Sequence, residues 1–485
     1  MNFKKICAFI LLFVNVFTVT VTAKKDESTQ YDYFDKILGY ASEMYIDEDI
    51  TKDEILNRTI KKYINDNPDV LSELLKDAFS QLDEYSEYYT FDEYIEYVNN
   101  LNHTFYGIGV MIQKDGDFVK ITQVLDGGSA IAAGVLSGDY IVKVNGEDMH
   151  GKSIDYVQSV VTGELNSEVT ITVLRGDTEY TYTLARKPVS ETTVSHLVLD
   201  EETAYVNIIN FAQKTAEEFK AVLTDLDSKG IYNIILDLRN NPGGYLDSAV
   251  DIAQMIIPKG IIVQTIYRQE ENNRTYYSTL NDAKFSFAVL VNENTASAAE
   301  ILTGAIQDSQ VGKVFGINTY GKAVIQEAFN MRNGDSFKIT TGKYLTRNGR
   351  EINKIGLKPD FEVLNTTKPI EVSEFPQISY NEATSFGDTH ENVSVIKERL
   401  AYLGYPVTDF SKNYDSALEA YVLDFQISKE LKPTGALDRI TMVQIENAFA
   451  QCEQLVDNQL YKAYEYFGGS EEKLDEILNK KTQGE

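Results

Sequence analysis

Ser297 sits in a run of small residues, Asn294-Thr-Ala-Ser297-Ala-Ala-Glu300, and Lys322 follows within Tyr320-Gly-Lys322-Ala-Val-Ile-Gln326. A serine hydroxyl is a weak nucleophile at neutral pH. A base must take its proton, and donors must hold the oxyanion that its attack creates. Lysine serves as that base where burial disfavours its charged form and brings its pKa down. Gly321 and Ala323 flank Lys322 in an otherwise apolar strand, so its side chain is free to enter a closed site. Gln326 reaches the same face only if the strand bends; its amide then accepts from Lys322 and holds the amine toward Ser297. For the oxyanion, the Ala298 N–H stands at the N-terminus of a helix predicted over residues 298–306, where the helix dipole favours an anion. Asn241-Pro242-Gly243-Gly244 offers unobstructed N–H groups from Gly243 or Gly244 at the end of a neighbouring strand, although taken alone it also reads as a plain strand-to-helix turn.

Other hydrolytic chemistries find little support. The histidines are His103, His150, His196 and His390; only His196 falls in the same region, on an ordinary strand. The histidines do not cluster and H-E-x-x-H is missing, so neither a metal nor another cofactor is expected. The Ser-x-x-Lys spacing of penicillin-binding enzymes occurs at Ser394–Lys397 and Ser470–Lys473, in helical texture without companion motifs.

These residues need a frame. A chain of 485 residues exceeds one compact core and argues for three or four units. A net charge of -29 excludes nucleic acid or anionic lipid as partners, since both require a basic surface. Met1-Asn-Phe-Lys4-Lys5, an apolar run from Ile6 and Val21-Thr22-Ala23 make residues 1–23 a secretory signal or an uncleaved anchor, placing the remainder outside the cytoplasm. With Cys7 in that segment, Cys452 alone remains and no intrachain disulfide is expected.

Residues 31–100 show amphipathic helical spacing, for example Leu71, Leu74, Leu75 and Phe79, and read as a structural region or a dimerisation arm. Residues 101–187 change to short β-rich runs separated by Gly and Asp. Residues 188–365 alternate strand and helix, predicting an α/β layered core whose ligand sits beyond the carboxyl ends of its strands. Residues 366–390 are polar and read as a linker, residues 391–450 as a small helical unit, and residues 451–485 as a charged helical tail or packing helix.

Several motifs resemble known families. Gly138-Asp-Tyr-Ile-Val-Lys-Val-Asn-Gly146 after a short helix is similar to a PDZ domain, which captures a peptide by strand addition while backbone N–H groups take its carboxylate. The carboxylate loop then falls on Tyr106, Gly107, Ile108 and Gly109. Leu403-Gly-Tyr405 and Thr434-Gly-Ala-Leu-Asp438 resemble a peptidoglycan-binding three-helix domain. Asp237-Leu-Arg-Asn-Asn-Pro-Gly-Gly244, Thr295-Ala-Ser-Ala-Ala-Glu300, Tyr320-Gly-Lys322, Gln326, Gly356-Leu-Lys-Pro-Asp360 and Leu82-Asp-Glu-Tyr-Ser86 together resemble the carboxy-terminal processing (tail-specific) serine proteases, PDZ-bearing Ser-Lys peptidases.

That resemblance implies an α+β multidomain chain with a ClpP/crotonase-like core. It implies Ser297 as nucleophile, Lys322 as general base, Gln326 as its orienting partner, and Gly243 or Gly244 with Ala298 as oxyanion donors. Substrates would be unfolded or non-polar protein C-termini, with peptidoglycan contact and a homodimeric frame, on the envelope side of a Gram-positive type of cell. One departure stands out: relatives commonly carry Gly-Lys-Gly-Ser/Thr-Val-Gln, whereas this chain has Ala323, Val324 and Ile325. It leaves a non-catalytic PDZ and wall-binding scaffold as the competing reading.

Overall fold

The computed structural model describes residues 30–44, 50–125 and 127–482; the segment read as a signal or anchor lies outside them. Among the described residues no helix is long and apolar enough to cross a membrane. The chain divides into two compact units at Leu82 and Asp83. The first holds the helices Gln30–Met44, Lys52–Asp66 and Leu71–Ser80. Thr51 caps the second by accepting the Glu54 N–H, and Asn67-Pro68 breaks the chain before the third. The helical region expected over 31–100 is therefore split, because the helix Phe91–Leu101 belongs to the second unit.

The second unit is built on a six-stranded sheet in the order Val194–Val198, Thr203–Ile208, Asn233–Asp237, Ser286–Val291, Gly312–Gly316, Phe361–Glu362. The first pair is antiparallel and the others run parallel. Parallel strands covered on both faces read as continuous apolar runs, and alternate residues here go to opposite sides. Ile234, Leu236, Phe287 and Val289 join one core with the helices Thr215–Lys229, Leu246–Ile256 and Ala298–Ser309. Ile235, Ala288, Leu290 and Phe315 join another with Leu460, Ala463, Tyr464 and Leu474. The C-terminal helices Asn458–Tyr466 and Glu471–Thr482 are thus the second cover of the sheet rather than a dangling tail.

A second, antiparallel sheet carries Glu87–Tyr89, Ser336–Thr346, Gly260–Tyr267 and Arg274–Ser278, with Val324–Asn330 also paired to Ser336–Thr346. It brings the residues around Lys322 beside those just after Leu82.

Two smaller domains are inserted into this frame, each closed at its base by a two-stranded ribbon. The domain expected as PDZ enters along Thr104–Gly107 and leaves along Lys187–Ser190, which pair antiparallel. The helical domain of Glu391–Tyr402, Ser416–Ser428 and Arg439–Phe449 is bracketed by Thr366–Pro369 and Glu453–Val456. The stretch read as a linker, 366–390, therefore begins with a paired strand. The two insertions touch: Asp117 accepts the Ser416 N–H at 3.0 Å and hydroxyl at 2.9 Å, and Asp409 accepts the Gly116 N–H at 3.3 Å.

Candidate active site

The strand Ser286–Val291 ends in a loop that the Thr295 hydroxyl fixes, donating to the Leu238 carbonyl at 2.8 Å. The Ala296 N–H donates to the Asn241 carbonyl at 3.0 Å, joining this loop to the Asn-Pro-Gly-Gly turn. Ser297 follows at φ 55°, ψ -117°, and the helix starts at the next residue. A non-glycine residue held there costs about 1–3 kcal/mol and persists only where its surroundings over-determine it. Here they do. The Ser297 N–H goes to Glu300 Oε2 at 2.9 Å, and its carbonyl accepts the Ile301 N–H at 3.0 Å.

Glu300 is fully buried and organises the site. Oε1 accepts the Thr319 hydroxyl at 2.5 Å and the Gly321 N–H at 2.8 Å, while Oε2 takes the N–H groups of Ser297 and Lys322. Burial pushes its carboxyl above the usual value, against the pull of those donors. Tyr344, also buried, sets its hydroxyl 3.1 Å from the Ser297 carbonyl and 3.0 Å from that of Lys322, one proton shared between the backbones of both residues.

Burial pushes the Lys322 amine below its ordinary value; neighbouring Lys338 acts the same way, and Glu84, Glu87 and Asp83 oppose it. Its Nζ lies 4.4 Å from the centre of the Tyr85 ring. Among the described residues no hydrogen bond links Nζ to Ser297 or Gln326. The strand pairing shifts register between Ile325 and Gln326, the kind of irregularity that a shared face with Lys322 requires. The Gln326 amide NH2 donates to the Thr340 hydroxyl at 3.3 Å, and its oxygen does not accept from Lys322 in this arrangement. Ala323 is packed in the core, with its N–H on Asn353 Oδ1 at 3.1 Å.

Gly243 and Gly244 have φ of 103° and 140°. A Cβ on Gly243 would stand 2.8 Å from the Ser297 Cβ and 2.9 Å from the Ala298 nitrogen, so this turn lies directly against the serine. The buried Asn241 shapes it, donating to the Ile208 carbonyl at 2.7 Å and accepting the Gly243 N–H at 2.9 Å. That bond removes Gly243 from the expected donors. The N–H groups of Gly244 and Ala298 donate to nothing among the described residues.

In the first insertion, Gly107, Ile108 and Gly109 line a cavity of about 500 Å³ walled by Phe105, Ile112 and Val161. Tyr106 does not line it; its hydroxyl donates to Asn99 Oδ1 at 3.3 Å. His196 sits at the surface beside Asp225. Lys397 of the Ser-x-x-Lys spacing is buried in the helical domain between Asp409 and Asp415, at 2.5 and 2.8 Å.

Three residues gained their place only from the structure: Glu300, Tyr344 and Tyr85. A signal existed for Glu300, an acidic residue three positions into a small, apolar helix, where a carboxylate caps the preceding turn. Tyr344 lies on a strand and Tyr85 in a loop, each distant in sequence from the serine.

Residues 202–363 match the model of peptidase family S41, residues 120–175 a PDZ domain and residues 389–445 a peptidoglycan binding domain. A "Probable CtpA-like serine protease" of Staphylococcus aureus (strain MRSA252) is 35% identical over 384 residues, covering 78% of this chain and 76% of the relative. One of the same name from Staphylococcus haemolyticus is 32% identical over 443 residues, covering 89% of this chain and 87% of the relative. Among solved structures, a photosystem II D1 C-terminal processing protease is 26% identical, with a TM-score of 0.40 and coverage of 69% of this chain and 94% of that one.

Proposed function

Since the chain belongs to peptidase family S41, as a CtpA-like serine protease with a PDZ domain, we propose that it cleaves peptide bonds by acyl transfer to Ser297, with Lys322 as base. The carrying observation is the single buried carboxylate of Glu300, which holds the N–H groups of both residues. Neutral Lys322 takes the proton of Ser297 Oγ as that oxygen attacks the scissile carbonyl. The oxyanion is received by the unpaired N–H groups of Ala298 and Gly244. Each such donor is worth about 10²- to 10³-fold in turnover. The ammonium then protonates the leaving amine, and the neutral lysine next takes a proton from the water that attacks the ester and returns it to Ser297. In this arrangement the amine must first leave the Tyr85 ring. Gln326 would then support it at the serine by accepting through its amide oxygen.

The apolar cavity beside Gly107, Ile108 and Gly109 suits a non-polar C-terminal side chain, with the Ile108 and Gly109 N–H groups at hand for the carboxylate. The peptidoglycan binding domain supports an envelope location outside the cytoplasm, reached through the N-terminal segment. The exposed Tyr31, Tyr33, Tyr40 and Met44 of the helix Gln30–Met44 support self-association as a homodimer, which sedimentation of the wild-type chain checks. The central test compares wild type with Ser297→Ala and Lys322→Ala on an unfolded, casein-like substrate. If wild type cleaves no better than the variants, the scaffold reading replaces this one.

A further inference from the structure

Lys322 is anchored twice through its backbone, yet among the described residues its amine makes no hydrogen bond or ion pair. What it meets is the face of Tyr85, at 4.4 Å. The backbone that carries this ring is held firmly. Asp83 Oδ1 accepts the N–H groups of Tyr85 at 2.8 Å and Ser86 at 2.7 Å, closing a tight turn. The Ser86 hydroxyl accepts the Thr340 N–H at 3.1 Å, and Glu87–Tyr89 pairs with Ser336–Lys338. Thr340 is also the residue that holds the Gln326 amide. A short strap over residues 83–89 is thus sewn to the strand Ser336–Thr346, whose Thr340 holds the lysine's expected partner from the neighbouring strand.

We propose that Tyr85 is a positioning residue for the base: its ring seats the Lys322 ammonium out of hydrogen-bonding reach of Ser297 and sets the pH at which the amine becomes available. This rests on the Ser-Lys reading above.

Two effects of the ring oppose each other. Its π face attracts the cation and favours the charged form. Its bulk excludes water and favours the neutral form. Burial, with Glu84 and Tyr320 beside the hydroxyl, holds the Tyr85 phenol well above its ordinary pKa, so the ring itself stays neutral. The other groups facing the amine are Lys338 from the strand Ser336–Thr346, and Asp83, Glu84 and Glu87 from the strap. Glu300 is bonded to the Lys322 backbone and Tyr344 to its carbonyl.

Substitution separates the two effects. Tyr85→Phe keeps both. Tyr85→Leu keeps apolar bulk and loses the π face, so the lysine titrates lower, by roughly half a pH unit. Tyr85→Ala admits water, so it titrates higher, by about one unit or more.

The measurement is kcat/KM against pH on an internally quenched peptide with a non-polar C-terminus, which reports the free enzyme. Expected are an acid-side midpoint unchanged in the Phe variant, lowered in the Leu variant and raised in the Ala variant. A purely structural Tyr85 would scale activity equally at every pH. Midpoints that coincide in wild type, Phe and Leu variants therefore overturn the proposal, and so does a Phe variant that shifts like Leu. Should circular dichroism show the Ala variant unfolded, the Phe and Leu contrast decides alone. Lys322→Ala, run alongside, separates the two levels: if it keeps wild-type turnover, the Ser-Lys reading falls and takes this proposal with it. If it is inactive while the midpoints coincide, only the role of Tyr85 falls.

Discussion

Glu300 Oε2 accepts the backbone N–H of Lys322 at 2.8 Å, and the same oxygen accepts that of Ser297 at 2.9 Å. The serine starts a helix and the lysine precedes an antiparallel strand, so their mutual register rests on this carboxylate and on the Tyr344 hydroxyl, which bonds both carbonyls; neither group takes part in a chemical step.

Glu300→Gln is accordingly not a mild change. Each carboxylate oxygen receives two donors, so either orientation of an amide turns its NH2 against two of them. Every buried donor left unpaired costs about 1–3 kcal/mol. Urea unfolding should show a loss of a few kcal/mol, ~2–5, together with a drop in turnover. A variant with the wild-type midpoint and rate would show that the carboxylate is dispensable.

The pH dependence of cleavage follows from the depressed Lys322 amine. Its neutral form appears as pH rises through a pKa below the ordinary 10.5, so activity should climb with pH with its midpoint below that value. Between the folded and unfolded pKa values the unfolded chain binds more protons, so this site also adds stability as pH rises across that window. Lys322→Arg, charged throughout, should be inactive at every pH. Cleavage by the Arg variant with a normal profile would remove Lys322 from the chemistry.

Gly244→Ala places a Cβ 2.3 Å from the Phe211 carbonyl oxygen at φ 140°, so the turn must shift and take its free N–H with it. Turnover should fall by ~10²-fold or more. An unchanged kcat would exclude Gly244 as an oxyanion donor.

Leu474→Ala tests the C-terminal cover. Leu474 is fully buried against the sheet, and its truncation should cost about 2–5 kcal/mol by urea unfolding. Deleting residues 458–482 should give insoluble protein, because Ile235, Leu290 and Phe315 lose their partners. A soluble, active truncated chain would show the helices to be accessory.

Lys397→Ala leaves Asp409 and Asp415 buried without their cation, at a cost of about 3–5 kcal/mol. Protein that remains folded should still cleave peptides, since this lysine stands in the helical domain and not at Ser297. Loss of activity without loss of fold would point instead to the Ser-x-x-Lys pair.

By itself, the sequence determined which residue types could do the chemistry and most of the frame. The apolar run Asn233-Ile-Ile-Leu-Asp, the helix Thr215–Lys229 and the helix opening after Ser297 are local patterns, and local periodicity reports them directly. Tertiary structure decided what depends on contacts between distant segments. Gly243 and Gly244 look equivalent in sequence, but Asn241 takes one N–H and leaves the other. The helices from Asn458 on read as either a tail or a packing helix, and sequence could not choose because the sheet face they cover lies more than 150 residues away, at Ala288 and Leu290. The resting place of the lysine was least legible of all. Its partner Tyr85 comes from a loop 237 residues earlier, and no spacing rule connects an amine to an aromatic face that only the folding of the chain brings to it.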